Sequence, residues 1–100
     1  MYSIPPPTIN IADNGGILNA YNAYTAHASD PDYPLFFVGY AQGWCSKATE
    51  AYQRLAVLTD VHSPPRFRVL GPLMNLDQFS DVFSCPAGSF MNPTTKCHVW

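Results

Sequence analysis

Ten of the 100 residues are proline, and their positions decide where this chain can be helical. A proline has no N–H to give a helix, and it drives the residue before it towards extended backbone. Pro5, Pro6 and Pro7 therefore predict an extended, proline-rich segment over residues 1–8. Pro31 and Pro34, set among Asp30 and Asp32, enforce a break before the next apolar run. Pro64 and Pro65 stiffen a loop from Asp60 to Arg68, and Gly71-Pro72 predicts a short extended piece over Val69 to Leu73. The stretches between these breaks are long enough for helices. The chain is predicted to be mainly α, with four or so helices joined by irregular loops.

The first stretch carries two conflicting signals. Asp13-Asn14-Gly15-Gly16 is a turn by composition, yet Ile17, Leu18, Tyr21 and Tyr24 follow at the spacing of one apolar helix face. Either a helix starts after Gly16 or it runs through both glycines, at roughly 1 kcal/mol each relative to alanine. The second option calls for a reason, such as another group packed very close. Thr8 or Asn10 can cap a helix from Ile11 to about Ala26.

Leu35 to Cys45 is apolar on nearly every side, so as a helix it must be buried all round. A buried strand competes through the β preference of Phe, Val and Tyr, but the length fits a helix better. A helix from about Thr49 to Leu58 has Ala51, Leu55 and Leu58 on one face and polar residues on the other, which places it at a surface. Asn75 can cap a helix from Leu76 to Phe83, with Asp77 in its first turn and Phe79, Val82 and Phe83 on its buried face. Cys85 to Trp100 predicts irregular structure.

The charged fraction, 12%, is about half that of ordinary soluble domains. Either Ser, Thr, Asn, Gln and Tyr carry the solvation, or more protein covers the surface. A net charge of -2 without a basic cluster gives no electrostatic footprint for nucleic acid or an anionic membrane. No apolar run approaches the ~20 residues of a membrane helix, and Met1-Tyr2-Ser3-Ile4 has neither the basic residue nor the apolar core of a secretory signal. Taken alone, these features predict a cytosolic chain. Cys45, Cys85 and Cys97 are odd in number and lack C-x-x-C spacing, against a zinc knuckle or a redox pair. They are either buried, reduced thiols or cysteines whose disulfide partners lie on other sequence.

Of the chemistry-bearing residues, His27, His62 and His98 are not spaced to share a helix face, and no H-E-x-x-H is present. There is no Gly-rich phosphate loop and no G-x-S-x-G elbow. Cys97 beside His98 is adjacency rather than nucleophile and base geometry. The sequence thus holds no complete active site. Within the proline-braced loop, His62 can donate to an oxyanion, and Arg68 can grip a carbonyl or carboxylate with its planar fork. A satisfied surface histidine and a structural arginine are the competing reading.

Along the chain stand Asn10-Ile11-Ala12-Asp13-Asn14-Gly15-Gly16, Phe36-Phe37, Trp44-Cys45, Asp60-Val61-His62-Ser63-Pro64, Arg68-Val69, Phe79 to Cys85, Met91-Asn92-Pro93 and Lys96-Cys97-His98-Val99-Trp100. In that order they resemble the C-terminal end of the neprilysin and endothelin-converting-enzyme family of zinc metalloendopeptidases. The likeness runs from about Asn10 to Trp100, and its most specific elements are the N-I-A-D-N-G-G and H-S-P motifs and the terminal Cys-x-x-Trp. It implies that residues 9–100 are the C-terminal helical portion of a thermolysin-like catalytic domain, that the reaction is hydrolysis of peptide bonds, and that the location is extracellular or cell-surface.

The resemblance also assigns residues. The family's zinc sits on two histidines of H-E-x-x-H and on the glutamate of E-N-I-A-D, where this chain reads Ile9-Asn10-Ile11-Ala12-Asp13. Ile9 thus occupies the position of the third ligand with a side chain that cannot coordinate metal. Asp13 matches the carboxylate that orients a zinc-bound histidine, His62 the transition-state stabiliser and Arg68 the substrate-binding arginine. Cys45, Cys85 and Cys97 match cysteines that pair far upstream, and the Ser29 to Pro34 loop is shorter than the family's. The expectation is a fragment or diverged copy that binds no zinc and is catalytically incompetent by itself, with a peptide substrate or the upstream part of the domain as partner. The rival expectation is a non-catalytic peptide- or protein-interaction module that keeps the helical shell.

Overall fold

The structure, a computed structural model, describes the backbone of residues 7–99 and the side chains of residues 10–99. Five helices follow one another: α1 (Pro7–His27), α2 (Tyr33–Gly43), α3 (Glu50–Thr59), α4 (Pro65–Asn75) and α5 (Asp77–Val82). No strand occurs among the described residues, so the mainly α expectation is met.

Pro7 opens α1, where a missing N–H is harmless because no carbonyl awaits it. Of the segment expected to be extended, Pro7 and Thr8 are therefore helical, and residues 1–6 lie outside the described residues. Thr8 and Asn10 thus stand inside the helix and not at the position before it. The helix passes through both glycines. Gly15 is buried, but a Cβ at Gly16 would meet nothing within 4 Å, so close packing does not explain the second glycine. The turn signal loses because α1 gains contacts on both sides of it. Asn10, Asp13 and Asn14 make polar bonds to later segments, while Ile17, Leu18 and Tyr21 enter the core.

The break near residue 30 is a helix start as much as a stop. Asp32 caps α2 by accepting from the Leu35 N–H at 2.9 Å, and its own N–H donates to the Tyr24 hydroxyl at 2.8 Å. The core is small: Ile17, Phe37, Leu73 and Leu76 are buried, with Phe36, Tyr40, Val69 and Phe79 among those packed on them. Rings join α1, α2 and α5, since Tyr21 lies 5.7 Å from Phe37 and Phe37 lies 5.3 Å edge-on to Phe79. Contrary to expectation, α2 is not buried all round. Phe37 is its buried residue, and Leu35 and Val38 stay 61% and 45% exposed, because the contacts from α1, α4 and α5 reach α2 on the Phe36, Phe37 and Tyr40 side.

Thr49 caps α3, which lies at the surface as expected. It buries none of its residues, so its apolar stripe is open too, with Leu58 82% exposed. The extended piece expected over Val69 to Leu73 is instead the middle of α4, with Pro72 inside the helix and buried. A proline at 72 leaves the carbonyl of Arg68, four residues earlier, without its helical donor. The Tyr40 hydroxyl donates to that carbonyl at 2.7 Å, which replaces the missing bond.

Asn75 does not cap α5. Its amide donates to Asn14 Oδ1 and its oxygen accepts the Cys97 N–H, both at 2.9 Å. The helix ends at Val82, one residue early, because Ser84 turns left-handed at φ 52° and Cys85 N–H closes on Ser80 O. Phe79 and Val82 pack on the core, while Phe83 remains exposed beside Phe79. The tail is irregular, and Lys96 anchors it to Asp77 at 2.7 Å.

Candidate functional site

Three elements meet at Arg68. Pro65 starts α4, so Arg68 sits in its first turn and reaches back to α1. Its Nε donates to Asp13 Oδ2 and its Nη2 to Asp13 Oδ1, each at 2.8 Å, a two-pronged fork that matches the carboxylate plane. The side chains are only 18% and 10% exposed, so each charge depends on the other. The hydrogen bonds to Asp13 hold the guanidinium pKa above its usual value. From the end of α2, Trp44 places its ring face 4.0 Å from the guanidinium carbon, a cation–π contact. Tyr40, one turn before Trp44, holds the Arg68 carbonyl. Burial, and then the negative charge of Asp13, push the Tyr40 hydroxyl above its ordinary pKa, so it stays a donor at neutral pH.

His62 is supported separately. Asp60 closes a tight turn in which its Oδ1 accepts the His62 N–H at 2.9 Å and the His62 Nδ1 proton at 2.7 Å. These two bonds, the backbone one first, hold the Asp60 carboxyl below its usual range. With Nδ1 engaged as a donor, Nε2 is the nitrogen left for a ligand, and it can donate only as imidazolium. Ser63, which is buried, ties the same loop to α1 through a 2.9 Å bond to Asn10. The charge of Asp60 also acts on Arg68, so both supports share one local field.

Asp13 and Arg68 are thus brought into direct contact, and His62 stands on an adjoining loop with no hydrogen bond to either. Sequence reasoning missed Asp60, Tyr40 and Trp44 as supports. The spacing Asp-x-His before Ser-Pro is a turn signature that could have found the first; the other two act across the fold.

The residues present do not fit a zinc centre. Both oxygens of Asp13 face Arg68, position 9 is isoleucine, and no three His, Cys, Asp or Glu side chains converge among the described residues. No histidine among the described residues bonds to Asp13. The cysteines are not the buried thiols of one expectation: Cys45 and Cys97 are exposed, Cys85 is half-buried, and all three are free.

The helical frame thus props Arg68 and His62 with one aspartate each. The chain belongs to peptidase family M13, whose family model matches residues 8–99. It is 47% identical over 103 residues to the endothelin-converting enzyme homolog of Locusta migratoria and 46% identical over 104 residues to neprilysin-3 of Drosophila melanogaster. It is also 47% identical over 103 residues to endothelin-converting enzyme 1 of Homo sapiens. Each match takes in 91% of this chain but only 14%, 13% and 13% of the respective relative, so the chain spans about a seventh of their length. Its five helices are consistent with a helical part of an M13 peptidase domain, and among the described residues no helix is long and apolar enough to cross a membrane.

Proposed function

We propose that this chain supplies the peptide-gripping side of a neprilysin-like endopeptidase site and hydrolyses nothing by itself. The observation that carries this reading is the support of Arg68. Asp13 occupies Nε and Nη2, while Nη1 makes no hydrogen bond among the described residues and is left for a peptide carbonyl or carboxylate. His62, braced by Asp60, offers Nε2 to an oxyanion when protonated. Activation of water is what the chain cannot provide. Zinc serves that purpose in the family, and the donors to hold it are not assembled among the described residues.

The partner in this reading is either a peptide or further peptidase sequence. The open apolar stripe of α3 and the exposed Leu35 and Val38 of α2 support the second. Free Cys45, Cys85 and Cys97 would then be disulfide positions of an extracellular or cell-surface enzyme. A non-catalytic peptide-binding module is the alternative, favoured by the same intact support of Arg68.

The test is metal analysis of the purified chain together with a quenched-fluorescence assay on a neprilysin-type peptide. The expected result is no stoichiometric zinc and no chelator-sensitive cleavage; one zinc per chain with cleavage abolished by chelator would overturn the proposal. Binding of the intact peptide to the wild type, lost in R68A, would favour the module over a dormant fragment.

A further inference from the structure

We propose that Trp44 and Tyr40 are positioning residues that set the plane of the Arg68 guanidinium, and that Pro72 is what allows Tyr40 to reach its place. This rests on Arg68 being the group that grips peptide. An N–H at position 72 would bond to the Arg68 carbonyl, and proline has none to offer. The vacancy is taken by the Tyr40 hydroxyl at 2.7 Å, which draws the end of α2 against α4. Trp44 lies four residues beyond Tyr40 and therefore on the same side of the helix end. Its backbone is fixed there by an N–H bond to Ala41 O at 3.1 Å.

The two supports of the guanidinium restrain different motions. The Asp13 fork binds one edge in the plane of the group and fixes its position. A fork alone still lets the plane tilt about that edge. The indole face, 4.0 Å away, blocks the tilt and so determines the direction in which the remaining edge, Nη1, presents its protons. Asp13 thus sets where the charge is and Trp44 sets how it faces.

The experiment uses the full chain, with ¹⁵N NMR of the Arg68 Nε–H without ligand, followed by titration with N-acetyl-Phe-Leu as the probe. In the wild type the Nε–H, bonded to Asp13, is expected to exchange slowly with water. W44F, which keeps an aromatic face, stays within about twofold, whereas W44M, which keeps bulk without the face, speeds exchange about tenfold and weakens the probe about fivefold. Wild-type exchange in W44M, or equal acceleration in W44F, overturns the proposal. If W44M loses its helical circular dichroism, Y40F carries the test by removing one oxygen. Exchange about threefold faster supports the clamp, and unchanged exchange sinks it. R68A separates the two readings: if it binds the probe as the wild type does, the peptide-gripping role fails. The ligand-free exchange rates still decide the role of Trp44.

Discussion

The two halves of α1 do opposite kinds of work. Its first half meets the rest of the chain through polar bonds: Asn10 to Ser63, Asp13 to Arg68 and Asn14 to Asn75. Its second half meets α2 through rings, with Tyr21 against Tyr33, Phe36 and Phe37, and Tyr24 against Phe36. Ring contacts tolerate small slides and mainly supply burial. Polar bonds between groups 53, 55 and 61 residues apart hold only if α1 and α4 are in register. The aromatic half therefore holds the fold together, and the polar half places Arg68 and the His62 loop. No buried side-chain polar atom is left without a partner among the described residues, so the placing half is fully satisfied.

The contrast can be broken from either end. The largest effect is expected at the aromatic end: F37A truncates the largest of the buried core side chains among the described residues, and should cost about 3–5 kcal/mol in urea unfolding. D13A comes next, at about 3 kcal/mol, since it strands the Arg68 charge in a mostly buried place. Unlike F37A, it should also free the Arg68 Nε–H to exchange. N75A loses bonds to both Asn14 and Cys97 and should cost about 1–2 kcal/mol, with the tail amides gaining most exchange. A gain is expected from G16A, about 0.5–1 kcal/mol, because the helix there has open space for a methyl group. A loss in G16A would show that the turn preference of this stretch matters in the folded state.

The smallest effect is a pH response. The Asp60 carboxyl is held below its ordinary value, so its bonds to His62 are fully present above the ordinary carboxylate range and are lost as pH falls through the lowered value. The His62 amide resonance should therefore show an acid step as pH falls through the lowered Asp60 value, below the ordinary carboxylate range, and D60N should abolish that step. A shift of the same size in D60N would assign the titration elsewhere.

The sequence reading located the helices where local rules act unopposed. Prolines and apolar spacing placed α1, α2, α3 and α5 to within a few residues. The reading failed at α4 because Gly71-Pro72 is a valid breaker locally, and the group that overrides it, Tyr40, lies 28 residues away. Burial of α2 was overestimated because an apolar composition states what a helix could bury, not which neighbours are present to cover it. His62 and Arg68 were visible as candidates through the paired prolines, but the expected loop from Asp60 to Arg68 ends at Pro64, and Arg68 falls in the first turn of α4. Their supports were less so, since the pairing of Asp13 with Arg68 depends on helix register, which spacing along the chain does not encode.

Pro72 has a consequence for how this chain can change. Positions 40 and 72 share one vacancy in the backbone, so the effect of a substitution at one depends on the residue at the other. With Pro72 in place, Y40F orphans a carbonyl and should cost about 1 kcal/mol, while in the P72A background the helix supplies its own donor and the same change should be nearly neutral. A lineage could exchange both residues without passing through a weakened state only by changing 72 first. The hydrogen bond thus imposes an order on mutations as well as a shape on the helix.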